Sequence, residues 1–366
     1  MKFSFYLKHF DWPLFLVTVL LMSIGIMAIF STISGDLELS SKILNKQLVT
    51  CLFGILLIFV LACLNYQIFR SYAYILYILI IVLLIGVLFF GKEIRGTQGW
   101  FEFGSFQFQP AEFAKIILLV ILAKYFSSIS GKESRVQYVL VSGILTLIPT
   151  VLILLQPDLG SALILVGLWL AMLLISGIKK KYIAILFTFG CFFIWIFWNG
   201  ILATYQKDRI LSFINPMRDP LGAGYHMIQS KIAIGSGGFL GRGLGHGPQS
   251  QLNFLPDQHT DFIFAVISEE LGFLGSFLLL FFLFFLLLRI LKISKRVRDE
   301  FGLMLVLGTC LLFLIQILVN VGMNLGVLPI AGIPLPLVSY GGSALLACLI
   351  MLGILESVAI RACEIR

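Results

Sequence analysis

Three groups of residues in this chain are equipped for chemistry. They are an aspartate at the mouth of an apolar run, a Glu–Lys pair one helical turn apart, and cations scattered among glycines. Asp261 lies in HTDFIF (259–264), directly after His259 and Thr260. A carboxylate at that place can take the proton of an attacking hydroxyl. It can equally complement the positive end of the helix that follows. The 57 residues of 206–262 carry Lys207, Arg209, Arg218, Lys231 and Arg242, with nine glycines between 222 and 247. Glycine-rich backbone with interspersed cations can hold phosphate oxygens through N–H groups and charge. The segment contains no GxxxxGK[ST] loop, and His226, His246 and His259 match no metal-ligand spacing.

The Glu–Lys pair is Glu112 and Lys115 in QPAEFAK (109–115), with Pro110 suited to a first helical turn. Residues three apart share a helix face, and charges at membrane depth usually face a bundle interior or a wet cavity. The pair therefore either anchors a helix end or belongs to a site. In LQPDLGSA (155–162), Pro157 and Asp158 supply turn and N-cap chemistry, and Asp158 would sit beside the same outward cavity. Glu269 and Glu270 are expected near the interface or bracing a neighbouring helix. Gln316, Asn320 and Asn324 recur every four residues as one polar stripe suited to interhelical hydrogen bonds. The following GVLPIAGIPLPLVSYGGSALL (326–346) is a stiff, broken entry into a last helix. Non-helical backbone there must be protein-buried or line a cavity.

These segments need a membrane scaffold to bring them together. The chain has 366 residues, of which 60% are hydrophobic and 12% charged, far from the roughly 25% charged of soluble domains. Apolar runs predict an all-α integral membrane protein, a polytopic bundle of ten transmembrane helices. The runs are 14–33, 47–64, 72–90, 111–126, 136–155, 159–178, 182–205, 262–288, 301–322 and 338–360. The first is too long for a signal peptide and lacks a cleavage site. Residues 1–366 read as one polytopic domain, with 206–262 as a large outward loop between helices seven and eight. Sixteen cations fall on the side of the two termini, against five on the other side once the long loop is set apart. This places both termini in the cytoplasm and the loop outside. The net charge of +8 is thus a topology signal, not a nucleic-acid signal, and basic runs such as 292–298 would meet anionic lipid. The six cysteines form no disulfide or zinc pattern. Segments 91–110, 156–158, 206–262 and 323–337 all face outward and can converge on one cavity.

Five motifs carry a resemblance. QPAEFAK, QPDLGSA, DPLGAGYHMIQSKIAIGSGG, HTDFIFAVISEELG and PLPLVSYGGSALL, in that order across residues 10 to 360, resemble the SEDS family (shape, elongation, division and sporulation). The forms QPDLG, FLPDQHTDFIF and PLVSYGGSAL are closer to its rod-shape branch than to its division branch. The resemblance implies a peptidoglycan glycosyltransferase that polymerises lipid II outside the cytoplasmic membrane. It also implies work beside a class B penicillin-binding protein and the elongation machinery. The family's essential aspartate falls on Asp261, preceded by His259 and Thr260. The acid and lysine of its PSExAK motif fall on Glu112 and Lys115, with Ala111 in place of the serine. Its tryptophan corresponds to Trp100, although the preceding basic residue is absent here.

Such a reaction needs a base, cations for the leaving pyrophosphate and a boundary that admits polyprenyl tails. Asp261 is the candidate base. Lys115, Arg209, Lys231 and Arg242 are candidate pyrophosphate contacts. No nucleotide is needed, and nothing in the sequence demands a divalent ion, although one can assist. Two other classes fit ten helices and an outward cavity: a lipid II flippase and a scaffold for the penicillin-binding protein. Charges lining both membrane halves would favour transport. Here the sequence places them toward the outward half, which favours surface chemistry.

Overall fold

The computed structural model describes residues 8–32, 37–94, 96–104, 106–129, 136–179, 223–252 and 254–362, with 181–182, 184–186, 188, 190, 200, 207 and 211–215 between them. Helices α1 (Trp12–Thr32), α2 (Leu37–Cys63) and α3 (Gln67–Phe90) come first. A sheet of β1 (Lys92–Ile94), β2 (Thr97–Phe103) and β3 (Phe106–Phe108) precedes α4 (Pro110–Ile129), α5 (Val136–Leu155) and α6 (Leu159–Ile175). Then come α7 (Ala223–Ser236), α8 (Pro248–Gln251), α9 (Ile263–Ser294), α10 (Glu300–Leu325) and α11 (Gly342–Ala362).

Nine of the ten expected spans are helices here, and the chain is a multi-pass membrane protein. Seven helices among the described residues are long and apolar enough to cross a membrane. The expected fourth span is helix α4, which carries Glu112, Lys115 and Lys124, and the sixth is the 17-residue α6. The expected seventh span, 182–205, lies outside the described residues. Helix α11 is buried along most of its length and packs most extensively on α2. Local chemistry sets the helix ends. Asp299 caps α10 by accepting from the Gly302 amide at 2.9 Å, and Gly326 ends it in a left-handed conformation, φ 69°.

Two expectations need correction. The protein is not wholly α: segment 91–110 holds an antiparallel sheet of order β1-β2-β3, with Lys92 opposite Trp100 and Phe101 opposite Phe108. Its alternating aromatics suit a half-buried pleat. Nor do the buried charges gather only in the outward half. Near the opposite end, Arg289 makes a two-pronged pair with Asp11 at 2.6 and 3.0 Å, and the Asp11 amide donates to Glu356 at 2.9 Å. This cluster joins α1, α9 and α11.

Helix α9 is broken, and residues 237–250 of the long loop pack into the break. At about 1.5 Å per residue its 32 residues would span about 48 Å, well beyond a hydrocarbon core of about 30 Å. Gly272 leaves helical geometry at φ 65°. Strand-like backbone from 238–243 fills the gap: the Arg242 and Gly243 amides donate to the Glu269 and Glu270 carbonyls, while the Phe273 and Leu274 amides donate to Gly238 and Phe239. Backbone polar groups freed at membrane depth are thereby re-satisfied. A Cβ on Gly241 would stand 2.1 Å from the Glu270 carbonyl, at φ 86°. Gly241→Ala is expected to cost about 2–4 kcal/mol, read as a drop in detergent melting temperature. Gly235→Ala, where a Cβ meets nothing within 4 Å, is the control and should not lower it. Equal melting temperatures for the two variants would refute the intercalated loop.

Candidate active site

Asp261 sits in a turn two residues before α9, partly buried, at the rim of a wholly buried run from Phe262 to Glu270. The turn closes on one carbonyl: the Thr260, Asp261 and Phe262 amides all point at Asp257 O, at 3.1, 3.1 and 3.4 Å. The three carbonyls that follow find donors far away in sequence. His259 O accepts from the Tyr340 amide at 2.8 Å. Thr260 O accepts from the Ser339 hydroxyl at 2.6 Å. Asp261 O accepts from the side-chain amides of Asn320 and Asn324, each at 3.0 Å. The backbone of the HTD motif is thus fixed on one side by α10 and on the other by the strap 330–340.

The strap forms the facing wall. A Cβ on Gly332 would lie 3.7 Å from Asp261 Oδ2, so the carboxylate looks onto bare glycine backbone. Ser339 also accepts from the Leu335 amide at 2.8 Å, which folds the strap on itself. His259 packs edge-on against Tyr340 at 5.9 Å. Burial pushes the Tyr340 hydroxyl above its ordinary pKa, so it is a neutral phenol at neutral pH. Gly160 lets the strap cross the start of α6, because a Cβ there would meet the Ala331 carbonyl at 2.0 Å. Asp158, just before it, caps α6 through the Ser161 amide at 2.9 Å, as its N-cap reading requires. The sheet docks at the same rim. The Ser343 hydroxyl accepts from the Gln109 amide and donates to Gln107 O, while Trp100 on β2 is half-buried opposite Lys92.

Other expected site residues land elsewhere. Lys115 and Glu112 pair at 2.6 Å with side chains only 2% and 5% exposed. Both side chains are covered by protein here. They lie beneath the strap, where Glu112, Gln316, Leu335 and Ser339 line a pocket of about 10 Å³, the size of one water. Lys231 is exposed on α7 and lies over Gly326, at the carbonyl end of α10. His226, on the same helix, stacks on Phe262 at 6.0 Å. Arg242 is exposed but its Nε donates to Ser236 O at 2.8 Å, level with Glu269 and two turns along α9 from Asp261. Arg209 lies outside the described residues.

Several N–H groups of the glycine loop are already engaged within the protein. The Gly241, Arg242 and Gly243 amides donate to backbone carbonyls, and Gly245 donates to the Glu270 carboxylate at 3.1 Å. Glu269 accepts from the Gln249 and Ser250 amides at 2.8 and 3.0 Å. Both acids are buried and brace the loop. Of the polar stripe on α10, Asn324 makes an interhelical bond, accepting from the Ala265 amide of α9, while Asn320 and Asn324 both also bond to non-helical backbone. Their shared destination, the Asp261 carbonyl, was invisible in sequence; the VSYGG run that supplies Ser339 and Tyr340 was the other available signal.

The sequence matches the FtsW/RodA/SpoVE family of cell cycle proteins over residues 11–363. The chain belongs to this family. The resemblance drawn from its motifs is therefore borne out. Among family members it is 38% identical to the peptidoglycan glycosyltransferase MrdB of Escherichia coli K12, over 96% of this chain and 93% of that protein. It is 34% identical to the peptidoglycan glycosyltransferase RodA of Treponema pallidum, over 97% of this chain and 98% of that one. A family structure solved within a peptidoglycan synthase complex that coordinates polymerization and crosslinking superposes with a TM-score of 0.81 at 34% identity, covering 96% and 98% of the two chains. RodA of Thermus thermophilus gives 0.71 at 30% identity, covering 96% of each.

The buried ion pair makes a stability prediction. Lys115→Ala leaves an uncompensated buried carboxylate and should cost about 3–5 kcal/mol. The double variant Glu112→Leu/Lys115→Met should recover most of that loss in detergent melting. A double variant as unstable as the single one would refute the pairing as the source of the cost.

Proposed function

We infer that this chain is a peptidoglycan glycosyltransferase of the rod-shape type, which polymerises lipid II into glycan strands with Asp261 as its catalytic carboxylate. Kinship with named peptidoglycan glycosyltransferases over nearly the whole chain carries the activity class. One geometric observation supports the site: Asp261 stands at the rim of a buried run with its backbone pinned by three distant donors and its carboxylate facing glycine backbone.

The chemistry follows from that placement. The sugar hydroxyl of the acceptor attacks the donor's anomeric carbon, and the bond to pyrophosphate breaks on the opposite face. The Asp261 carboxylate takes the hydroxyl proton as the new bond forms. Lys231 and Arg209, with Arg242 further along the loop, neutralise the charge growing on the leaving pyrophosphate. Trp100, Asp158, His259 and Thr260 shape the rim on which the sugars rest. Glu112 and Lys115 act from below, by supporting the strap. The carbon–oxygen bond to pyrophosphate supplies the driving force, and the polyprenyl tails stay in lipid.

Residues 1–366 form one polytopic unit in the cytoplasmic membrane, with both termini inside and the Asp261 rim outside. The asymmetry of cations between the two sides supports this orientation. The natural partner is a class B penicillin-binding protein that crosslinks the product, in keeping with the synthase complex that this chain resembles.

Purified protein, with its crosslinking partner, is expected to convert lipid II into long glycan resolved on a gel. Asp261→Asn should lower the rate at least about 100-fold while keeping the melting temperature and partner binding. Polymerisation by Asp261→Asn at the unaltered rate would overturn the assignment.

A further inference from the structure

We propose that Asn320 is a positioning residue for the transfer reaction: one side-chain amide that sets the width of the site by holding both of its walls. The proposal rests on the reading of Asp261 as the catalytic carboxylate. Asn320 is fully buried on α10. Its Nδ2 has two N–H groups, and each has a separate target. One is the Asp261 carbonyl at 3.0 Å, on the wall that carries the carboxylate. The other is the Ile333 carbonyl at 2.7 Å, next to Gly332 on the facing strap. A single nitrogen therefore fixes the separation between Asp261 and the backbone its carboxylate looks onto.

Asn324, one turn on, holds this clamp in place. Its Nδ2 donates to the Asp261 carbonyl at 3.0 Å and to the Asn320 carbonyl at 2.8 Å, while its Oδ1 accepts from the Ala265 amide at 3.2 Å. Carbonyls surround both Nδ2 atoms, so the orientation of each side-chain amide is dictated by its partners. The arrangement differs from ordinary interhelical glue in its targets: neither asparagine bonds primarily to another helix side chain. Asn320 reaches main-chain atoms of both non-helical segments that make the site, and Asn324 reaches those of the Asp261 wall and the start of α9. A displacement of about 1 Å at a reacting group can cost about 100-fold in rate, which gives such a clamp leverage without any contact with substrate.

The test compares Asn320→Asp with Asn320→Ser in the full chain with its crosslinking partner, using lipid II as substrate. Aspartate keeps the shape but turns acceptor oxygens toward two carbonyls. Serine keeps one donor. Asn320→Asp should lower kcat by roughly 50-fold or more with KM for lipid II within about threefold, because the clamp acts on geometry and not on binding. Asn320→Ser should retain an intermediate rate. Thr309→Val, buried on the same helix with its hydroxyl donating only to Leu305 O within α10 at 2.8 Å, serves as control and should stay within about threefold in kcat. A merely structural asparagine would instead lower the amount of folded, partner-bound protein and leave kcat per folded molecule unchanged. That result, or a loss carried by KM, overturns the proposal, and if Asn320→Asp fails to fold, the serine variant alone decides by the same criterion. Asp261→Asn is assayed alongside. If it remains active, the assignment of Asp261 falls first; if it is inactive while both Asn320 variants turn over at the normal kcat, only the clamp falls.

Discussion

His259, Thr260 and Asp261 bring non-helical backbone into a helical layer, and each of their carbonyls has to find a donor that is not water. In a membrane interior an unsatisfied backbone group costs several kcal/mol. The Tyr340 amide, the Ser339 hydroxyl and the Asn320–Asn324 pair meet that demand one carbonyl at a time. The requirement explains why the strap is full of prolines and small residues. It must run close to another backbone and keep few amides of its own in need of partners. It also explains why the polar stripe lies on α10, the helix that passes behind the turn. The orientation of the Asp261 carboxylate is a by-product of satisfying the backbone beneath it.

The same constraint works a second time in α9. A helix that is too long for the bilayer is interrupted at Gly272, and a glycine loop enters the gap with matching amides and carbonyls. Glycine is needed at Gly241 and Gly272 because two backbones come closer than any Cβ allows. The buried pair Glu269 and Glu270 then collects the loop amides left over. Residues that look like a phosphate cradle in sequence therefore form a joint inside the protein. Exposed Phe239 and Leu240 continue the apolar outer surface of the helix, with Phe239 stacked on Phe273 at 5.8 Å.

Much of this was legible in the chain itself, and the exceptions have physical causes. Apolar runs located nine helices because hydropathy over some twenty residues is a local property. The small sheet escaped notice because three strands of three to seven residues are shorter than the window that finds helices. Helix α7 escaped because its glycines and its place inside a polar loop outweighed its apolar positions. At the site, Asp261 stood out by its position before an apolar run. The role of Asn320 and Asn324 did not, because their bonds to Asp261 join residues 59 and 63 apart. Glu112 and Lys115 fitted a helix anchor and a site equally, because sequence spacing cannot tell a rim from a core. Only the packing of α10, α11 and the strap decides that they are covered.

The cluster of Asp11, Arg289 and Glu356 bears on how the protein is made. Asp11 leaves the ribosome 278 residues before Arg289, an interval of roughly 15–55 s at about 5–20 residues per second. During that time the acid has no guanidinium to accompany it into a low-dielectric setting, so the head of α1 must stay at the wetted membrane surface. The first helix can settle to its final depth only when α9 delivers the cation, and α11 then closes over both with Glu356. Assembly therefore ends where synthesis began, with the head of α1 joined to α9 and α11 through one charge cluster.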